Sequence, residues 1–151
     1  MYTIEEFDEN KTRVLKYVLF KKRTKQEIKK KFNNTIENEM LDDIIDELEE
    51  NGYIGDEDYI RKSVNEFMAL NNLSIKEIKY KLYCKGVSED LIDDYISSNA
   101  EELVDYELES AKKIALKKMK VMETEEIKRH LLKKGYTGES VKYAINSLNE
   151  E

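Results

Sequence analysis

Few residues of this sequence have the types and spacing that chemistry requires. His130 is the only histidine and Cys84 the only cysteine, and they are 46 positions apart in the chain. A zinc site needs several such ligands at short spacing, and a cysteine nucleophile needs a base beside it. We therefore expect His130 to be a surface or half-buried helix residue and Cys84 a small, partly buried helix residue, without a metal ion or a catalytic role for either.

Other catalytic patterns are also missing from the sequence. Adjacent acids such as Asp42-Asp43 and Asp93-Asp94 point about 100° apart on a helix, which makes them poor acid/base partners. No Gly-x-Gly-x-x-Gly or Gly-Lys-Ser/Thr loop is present to hold a nucleotide. The sequence predicts a protein that is not an enzyme and binds no cofactor.

Charge is the feature with the clearest pattern. The formal net charge is −7, but residues 11–31 hold ten Lys or Arg and one Glu, whereas residues 35–58 hold eleven Asp or Glu and no base. Residues 86–110 hold nine acids and no base, and residues 111–134 hold nine bases and three acids. This pattern predicts a basic face suited to nucleoprotein phosphate and an acidic face suited to basic protein surfaces. The alternative is that the charges are solvated and pair within the molecule.

The candidate binding residues are basic side chains of three repeated helical units. They lie on the predicted first and second helices of these units. The densest cluster begins at residue 21. The full set is Lys21, Lys22, Arg23, Lys25, Lys29, Lys30, Lys79, Lys81, Lys112, Lys117, Lys118, Lys128, Arg129 and Lys133.

A threefold repeat supplies the elements that position these residues. Glu-Ile pairs end at Ile28, Ile78 and Ile127, so they are 50 and then 49 residues apart. The apolar residues that follow each pair recur at matching offsets and at helical spacing. Each unit therefore contains two short amphipathic helices, preceded by a longer helix near residues 10–22, 57–72 or 101–120.

The helix ends carry recognisable signals. Thr24 and Ser74 each precede a glutamate by three residues, which is the pattern of a capping box. Gly86 and Gly135 suit left-handed C-caps, and unit one lacks an equivalent glycine. The longer helices are expected to bury the apolar positions Val14, Val18, Leu19, Ile60, Val64, Phe67, Met68, Leu103, Tyr106, Ala111, Ile114 and Ala115.

Composition agrees with an all-helical fold. Proline is absent and there are only five glycines, the two residues least compatible with helix interiors. No apolar run approaches the length of a membrane span, and the acidic start of the sequence does not resemble a secretory signal. With a lone cysteine, a reducing compartment fits best, so we expect a cytoplasmic protein.

The spacing and motifs together resemble the RecX family. Residues 51–60 (NGYIGDEDYI) resemble the turn that follows the family's first unit, and residues 82–86 (LYCKG) and 131–135 (LLKKG) resemble its Leu-x-x-Lys-Gly pattern. The resemblance covers residues 11–150. It implies an elongated, curved, all-α array of three three-helix units that resemble helix-turn-helix cores.

The resemblance also implies partners and a role. RecX proteins bind RecA and its filaments on single-stranded DNA, and they restrain recombinase, ATPase and strand-exchange activity in DNA repair and the SOS response. We expect a monomer with a tail over residues 1–10 and repeats over 11–56, 57–100 and 101–151, and weak direct DNA binding is compatible with its basic blocks. The alternative is a stand-alone helical DNA-binding protein that presents recognition helices to duplex DNA.

Overall fold

The chain folds into helices joined by short turns, and the computed structural model describes residues 2–149. Within that range there are nine helices and no strand. In chain order they are α1 (Ile4–Phe20), α2 (Lys25–Phe32), α3 (Asn38–Glu50), α4 (Asp56–Leu70), α5 (Ile75–Cys84), α6 (Glu89–Ser98), α7 (Ala100–Lys118), α8 (Thr124–Lys134) and α9 (Gly138–Asn149).

The first helix is longer than the periodicity predicts. Residues 4–10, which we expected to belong to an N-terminal tail, instead form the first turns of α1. The Thr3 hydroxyl caps the helix by accepting a hydrogen bond from Glu6 N at 3.0 Å, which satisfies an otherwise unpaired amide. The rings of Tyr2 and Phe7 stack 5.7 Å apart and pack against the core of the first unit, so tertiary contacts stabilise this turn.

The other long helices agree better with the sequence. α4 begins at Asp56 and α7 at Ala100, each one residue before the predicted start. Most predicted core positions, including Val14 and Val18, are buried. The prediction for Leu19 is wrong, because it is 64% exposed. Successive helical residues point about 100° apart, so Leu19 turns away from the face that Val14 and Val18 define.

Each group of three consecutive helices encloses its own apolar core. Helices α1 to α3 (unit 1) contact one another, as do α4 to α6 (unit 2) and α7 to α9 (unit 3). The isoleucines of the three Glu-Ile pairs, Ile28, Ile78 and Ile127, are at most 1% exposed, and burying one such side chain contributes about 2 kcal/mol. The all-α array of three three-helix units is therefore confirmed.

The predicted helix-end signals are present in the structure. Thr24 with Glu27 and Ser74 with Glu77 form complete capping boxes. Gly135 has a φ of +101° as the C-cap of α8. Gly86 has a φ of +94° just after the C-cap of α5. In unit 1 the corresponding turn closes without glycine.

The second helices of the units follow one another end to end. The Thr24 hydroxyl at the start of α2 donates a hydrogen bond to the Lys85 carbonyl at the end of α5, at 2.7 Å. The Ser74 hydroxyl at the start of α5 donates in the same way to the Lys134 carbonyl at the end of α8, also at 2.7 Å. Each positive helix N-terminus thus meets the negative C-terminus of the next unit's second helix, an arrangement that helix dipoles favour.

The same contact explains where the glycines occur. A Cβ atom on Gly86 would lie 2.5 Å from Gln26 Cβ, and one on Gly135 would lie 2.9 Å from Lys76 Cβ. Glycine is therefore required where the preceding unit packs against the end of α5 or α8. Within the described residues no unit packs against the end of α2, where Asn33 stands with a φ of −60°.

The three units form an extended molecule. It exposes 9848 Å² to solvent, whereas a compact monomer of 17.9 kDa would expose about 8,000 Å². The difference agrees with the predicted elongated array. Its curvature and the precise limits assigned to each repeat stay predictions.

Candidate partner-binding surface

The densest basic cluster lies in the segment that joins α1 to α2. Lys21 is exposed. Lys22 instead forms an ion pair with Asp58 at the start of α4. The Arg23 guanidinium lies 4.2 Å from the centre of the Tyr17 ring, a cation–π contact. Only the first of these three basic residues is thus free to meet a partner without giving up an internal contact.

The basic residues of α2 differ from one another in the same way. Lys25 pairs with Glu49 of α3 at 2.6 Å, and Lys29 lies 3.7 Å from Asp42 of the same helix. Lys30 is exposed and forms no ion pair with any described residue. The acidic block of unit 1 therefore neutralises part of the basic block that precedes it.

Unit 2 repeats this pairing between its second and third helices. Lys79 of α5 pairs with Asp93 of α6 at 3.0 Å, whereas Lys81 is exposed. These in-unit pairs agree with the alternative of internal charge pairing for Lys25, Lys29 and Lys79. The predicted separation into a basic face and an acidic face is therefore only partial. Acids of α3 and α6 lie beside basic residues of α2 and α5 and pair with them.

The candidates of unit 3 lie on two helices. Lys112, Lys117 and Lys118 are on α7 and are exposed or half-buried. On α8, Lys128 pairs with Glu125 at 3.2 Å, while the remaining two candidates are exposed. Those two are Arg129 and Lys133.

The structure brings one pair of candidates from different units together. Lys81 of unit 2 and Lys133 of unit 3 line a single cavity at the junction of the two units. Three further lysines that the sequence analysis did not select line the same cavity: Lys76, Lys85 and Lys134. The repeat contained a signal for two of them, because Lys76 directly precedes a Glu-Ile pair and Lys134 precedes Gly135. These two lysines are, however, 58 positions apart in the sequence.

His130 and Cys84 do not form a site. His130 is half-buried, and burial together with the positive charge of Lys118 lowers its pKa. Cys84 is exposed at the end of α5, so the expectation of partial burial is wrong; the residue sits on the outer side of α5, two positions past buried Leu82. Among residues 2–149 no group of His, Cys, Asp or Glu side chains is arranged to hold a metal ion.

None of the helices described above is both long enough and apolar enough to cross a membrane.

No protein-family model matches the chain. Relatives among characterised proteins do match over most of its length. The regulatory protein RecX of Staphylococcus haemolyticus is 29% identical over 144 residues, which are 91% of this chain and 53% of that protein. RecX of Lactococcus lactis subsp. lactis is 28% identical over 159 residues, covering 97% of this chain and 57% of the relative.

Solved structures show the same fold. The crystal structure of RecX from Lactobacillus salivarius superposes with a TM-score of 0.82 at 22% identity and covers 99% of this chain and 100% of that one. A second crystal structure, of a regulatory protein RecX, gives a TM-score of 0.79 at 23% identity over 93% of this chain and 73% of the other. This chain is therefore similar in sequence to RecX proteins over most of its length.

The relatives are longer than this chain. It spans about half the length of the first RecX proteins that it matches, 53% for those of Staphylococcus carnosus and Staphylococcus haemolyticus. The complete chain of the Lactobacillus salivarius structure is nevertheless covered. Three units of three helices are therefore a complete match to one solved RecX chain and a partial match to the longer relatives.

Proposed function

We propose that this protein is a cytoplasmic, non-enzymatic regulator that binds RecA and RecA filaments on single-stranded DNA. In this role it mainly inhibits the ATPase and strand-exchange activities of the recombinase, within DNA repair and the SOS response. The observation that carries the proposal is the match to proteins named regulatory protein RecX over 91% or more of this chain. We propose that it acts as a monomer.

The distribution of free basic residues supports a nucleoprotein partner. Five of the fourteen candidates form ion pairs within the molecule: Lys22, Lys25, Lys29, Lys79 and Lys128. The exposed candidates that form none with a described residue occur in all three units, which suits a partner that extends along the array. They are Lys21, Lys30, Lys81, Lys117, Arg129 and Lys133.

Acidic third helices weigh against the alternative of a stand-alone DNA-binding protein. A helix-turn-helix protein presents such a helix to the major groove. Exposed faces of α3 and α6 carry Asp42, Asp43, Asp46, Glu89 and Asp94, and phosphate would repel them. If α3 and α6 instead face the protein part of a nucleoprotein filament, their acids do not meet phosphate.

RecA-catalysed ATP hydrolysis and strand exchange, measured with increasing amounts of this protein, test the proposal. We expect both activities to fall as the amount of this protein increases. The informative variant is Lys21→Glu/Lys30→Glu, since both side chains are exposed and unpaired among the described residues. It should weaken inhibition about tenfold, the effect of two reversed charges at an interface.

A matched control is Lys142→Glu, which changes an exposed lysine of α9 outside the basic blocks. It should inhibit like the unmodified protein. If the unmodified protein leaves both RecA activities unchanged at stoichiometric amounts, the proposal is wrong. If the control loses as much inhibition as the Lys21/Lys30 variant, the basic surface is not the contact.

A further inference from the structure

A groove of about 730 Å³ opens at the junction of units 2 and 3. Helix α4 contributes Tyr59 and Phe67, α5 contributes Lys76 and Tyr80, and the end of α8 contributes Lys133. We call it the α4–α5–α8 groove. It exists only because the end of α8 packs against the start of α5, through the hydrogen bond from Ser74 to the carbonyl beside Gly135.

One part of the groove is apolar and aromatic. Tyr59 and Phe67 are half-buried along one wall, and Leu82 lies beneath them with 1% exposure. Tyr80 also lines the groove and is 67% exposed. Concave apolar sites with a few polar groups around them are typical of ligand and peptide binding.

The rim of the groove is basic. Lys76, Lys81, Lys85 and Lys133 are exposed and form no ion pair with a described residue. Lys134 pairs with Glu77 at 3.2 Å, so the acid of the groove is already neutralised. Four unpaired positive charges therefore surround an apolar wall, and the complementary ligand is anionic with an apolar group.

The repeat contains a second groove at the matching place, but it is a different surface. At the junction of units 1 and 2 a cavity of about 700 Å³ includes Gln26 and Lys30. These residues stand where unit 2 has Lys76 and Tyr80, 50 positions later. The residue that corresponds to Phe67 is Tyr17, and Arg23 covers its ring at 4.2 Å. The combination of an open aromatic wall and free lysines thus belongs to the second junction and is not a by-product of the repeat.

The surroundings limit the size of the anion. Helices α4 and α6 pack against α5 and carry the exposed acids Glu57, Glu66, Glu89 and Asp90. A long polyanion such as single-stranded nucleic acid would extend beyond the lysines and meet these acids. A short segment of protein can confine its acids to the rim and place one apolar side chain against the aromatic wall.

We propose that the α4–α5–α8 groove is a docking site for an acidic peptide segment of a partner protein that carries an aliphatic or aromatic anchor residue. The anchor contacts the wall formed by Tyr59, Phe67 and Tyr80, and the flanking carboxylates meet Lys76 and Lys133. This binding mode joins buried apolar area with charge complementarity at the rim. The inference goes beyond the proposed function, because it concerns peptide binding in the absence of RecA.

Fluorescence anisotropy with the full chain tests the groove directly. The probe is a fluorescein-labelled peptide of twelve residues, with phenylalanine and leucine at its centre, two glutamates on each side of them and serine elsewhere. We expect saturable binding that Lys76→Glu/Lys133→Glu weakens about tenfold and that Tyr80→Ala weakens about threefold. Both variants change exposed side chains, and circular dichroism verifies that each is folded.

The matched control is Lys29→Glu/Lys30→Glu, which places the same charge change beside the cavity of the first junction. It should change peptide affinity by less than about twofold. A second peptide, in which serine replaces phenylalanine and leucine, should bind at least about fivefold more weakly, because the apolar anchor is gone.

Four results would overturn the inference. They are no binding of the first peptide, equal losses in the groove and control variants, equal affinity for the serine peptide, and stronger, competing binding of a fifteen-residue thymidine oligonucleotide. RecA ATPase measured on the same variants keeps the two proposals apart. Peptide binding without RecA inhibition contradicts only the proposed function, and RecA inhibition without peptide binding contradicts only the groove.

Discussion

The two junctions of the array use the same contact but differ in what surrounds it. At both, a buried hydroxyl, Thr24 or Ser74, donates to the last carbonyls of the next unit's second helix. At the first junction the next unit adds polar contacts at its surface, with Asp58 bound to Lys22 and Asp56 accepting a hydrogen bond from the backbone of α2 at 3.3 Å. The cores of units 1 and 2 stay separate there.

At the second junction the contacts are buried. Leu103 and Tyr106 of α7 belong to the core of unit 2, and the Tyr106 hydroxyl donates to the Leu73 carbonyl at 2.7 Å. Glu107 is only 2% exposed and accepts hydrogen bonds from Ile75 N at 3.0 Å and Thr137 N at 2.9 Å. One carboxylate therefore ties the start of α5 to the start of α9.

The same repeat contact therefore occurs in two junctions that differ in their surroundings. Helix α7 of unit 3 contributes Leu103 and Tyr106 to the core of unit 2, whereas no residue of unit 2 belongs to the core of unit 1. Exposed ion pairs contribute little stability, and buried polar contacts cost much when one partner is lost.

The largest effect is expected for Glu107→Ala. It leaves the amides of Ile75 and Thr137 and the Ser140 hydroxyl without their acceptor in a buried site, and should lower the free energy of unfolding by about 4 kcal/mol. Asp56→Ala removes a single longer hydrogen bond at the first junction and should cost about 1 kcal/mol. Urea unfolding followed by circular dichroism measures both, and equal losses would contradict the difference between the junctions.

The glycine variants should rank next. Gly86→Ala and Gly135→Ala place a methyl group against Gln26 and Lys76 respectively, and each should cost about 3 kcal/mol from backbone strain and overpacking. Gly52→Ala is the control, because its φ is +83° but no atom lies within 4 Å of the new Cβ. It should cost only about 1 kcal/mol. Thermal unfolding of the three variants separates steric overlap between units from backbone strain. Equal losses of stability in all three would show that the neighbouring unit does not require glycine at Gly86 and Gly135.

A smaller effect is expected for the hydroxyls that join the second helices. Ser74→Ala loses both its cap and its hydrogen bond to Lys134 O, and should cost about 2 kcal/mol. Ser88→Ala loses only the helix cap, in which Leu91 N donates to the Ser88 hydroxyl at 3.3 Å. It should lower the free energy of unfolding by about 1 kcal/mol. The difference in urea midpoints measures the contact between units. A Ser74 variant no worse than the Ser88 variant would mean that this hydrogen bond adds nothing.

The smallest expected effect is the change in stability at low pH that arises from the carboxylates of the first junction. Hydrogen bonds from Lys22 and Arg61 lower the pKa of Asp58 from its ordinary value of 3.8 to about 2. Since the folded pKa is the lower one, the stabilisation is present above pH 4 and is lost as the pH falls toward 2. Burial raises the pKa of Asp56, so its effect has the opposite sign and stability declines as the pH rises through that raised pKa. Carboxyl NMR titration should give the low Asp58 pKa, and Lys22→Gln should move it back toward 3.8.

Much of the candidate surface could be predicted only as a set of residue types. The basic blocks were visible in the sequence, but Lys22, Lys25 and Lys79 proved to pair with acids up to 36 positions away. Their partners depend on how α3, α4 and α6 pack, and no local pattern encodes that. Lys76 and Lys85 were missed for the same reason, since their shared groove forms only when α8 meets α5.

The repeat, the helices, their caps and the left-handed glycines were determined by the sequence alone. These features depend on residues within a few positions of one another, such as Thr24 with Glu27, or on a period that is read directly from the chain. The tertiary structure was needed to show that Glu107 is buried between two helix starts and that the second helices stack end to end. Those outcomes join groups 30 to 61 positions apart, and their energies arise from burial and packing between elements that the local pattern does not specify.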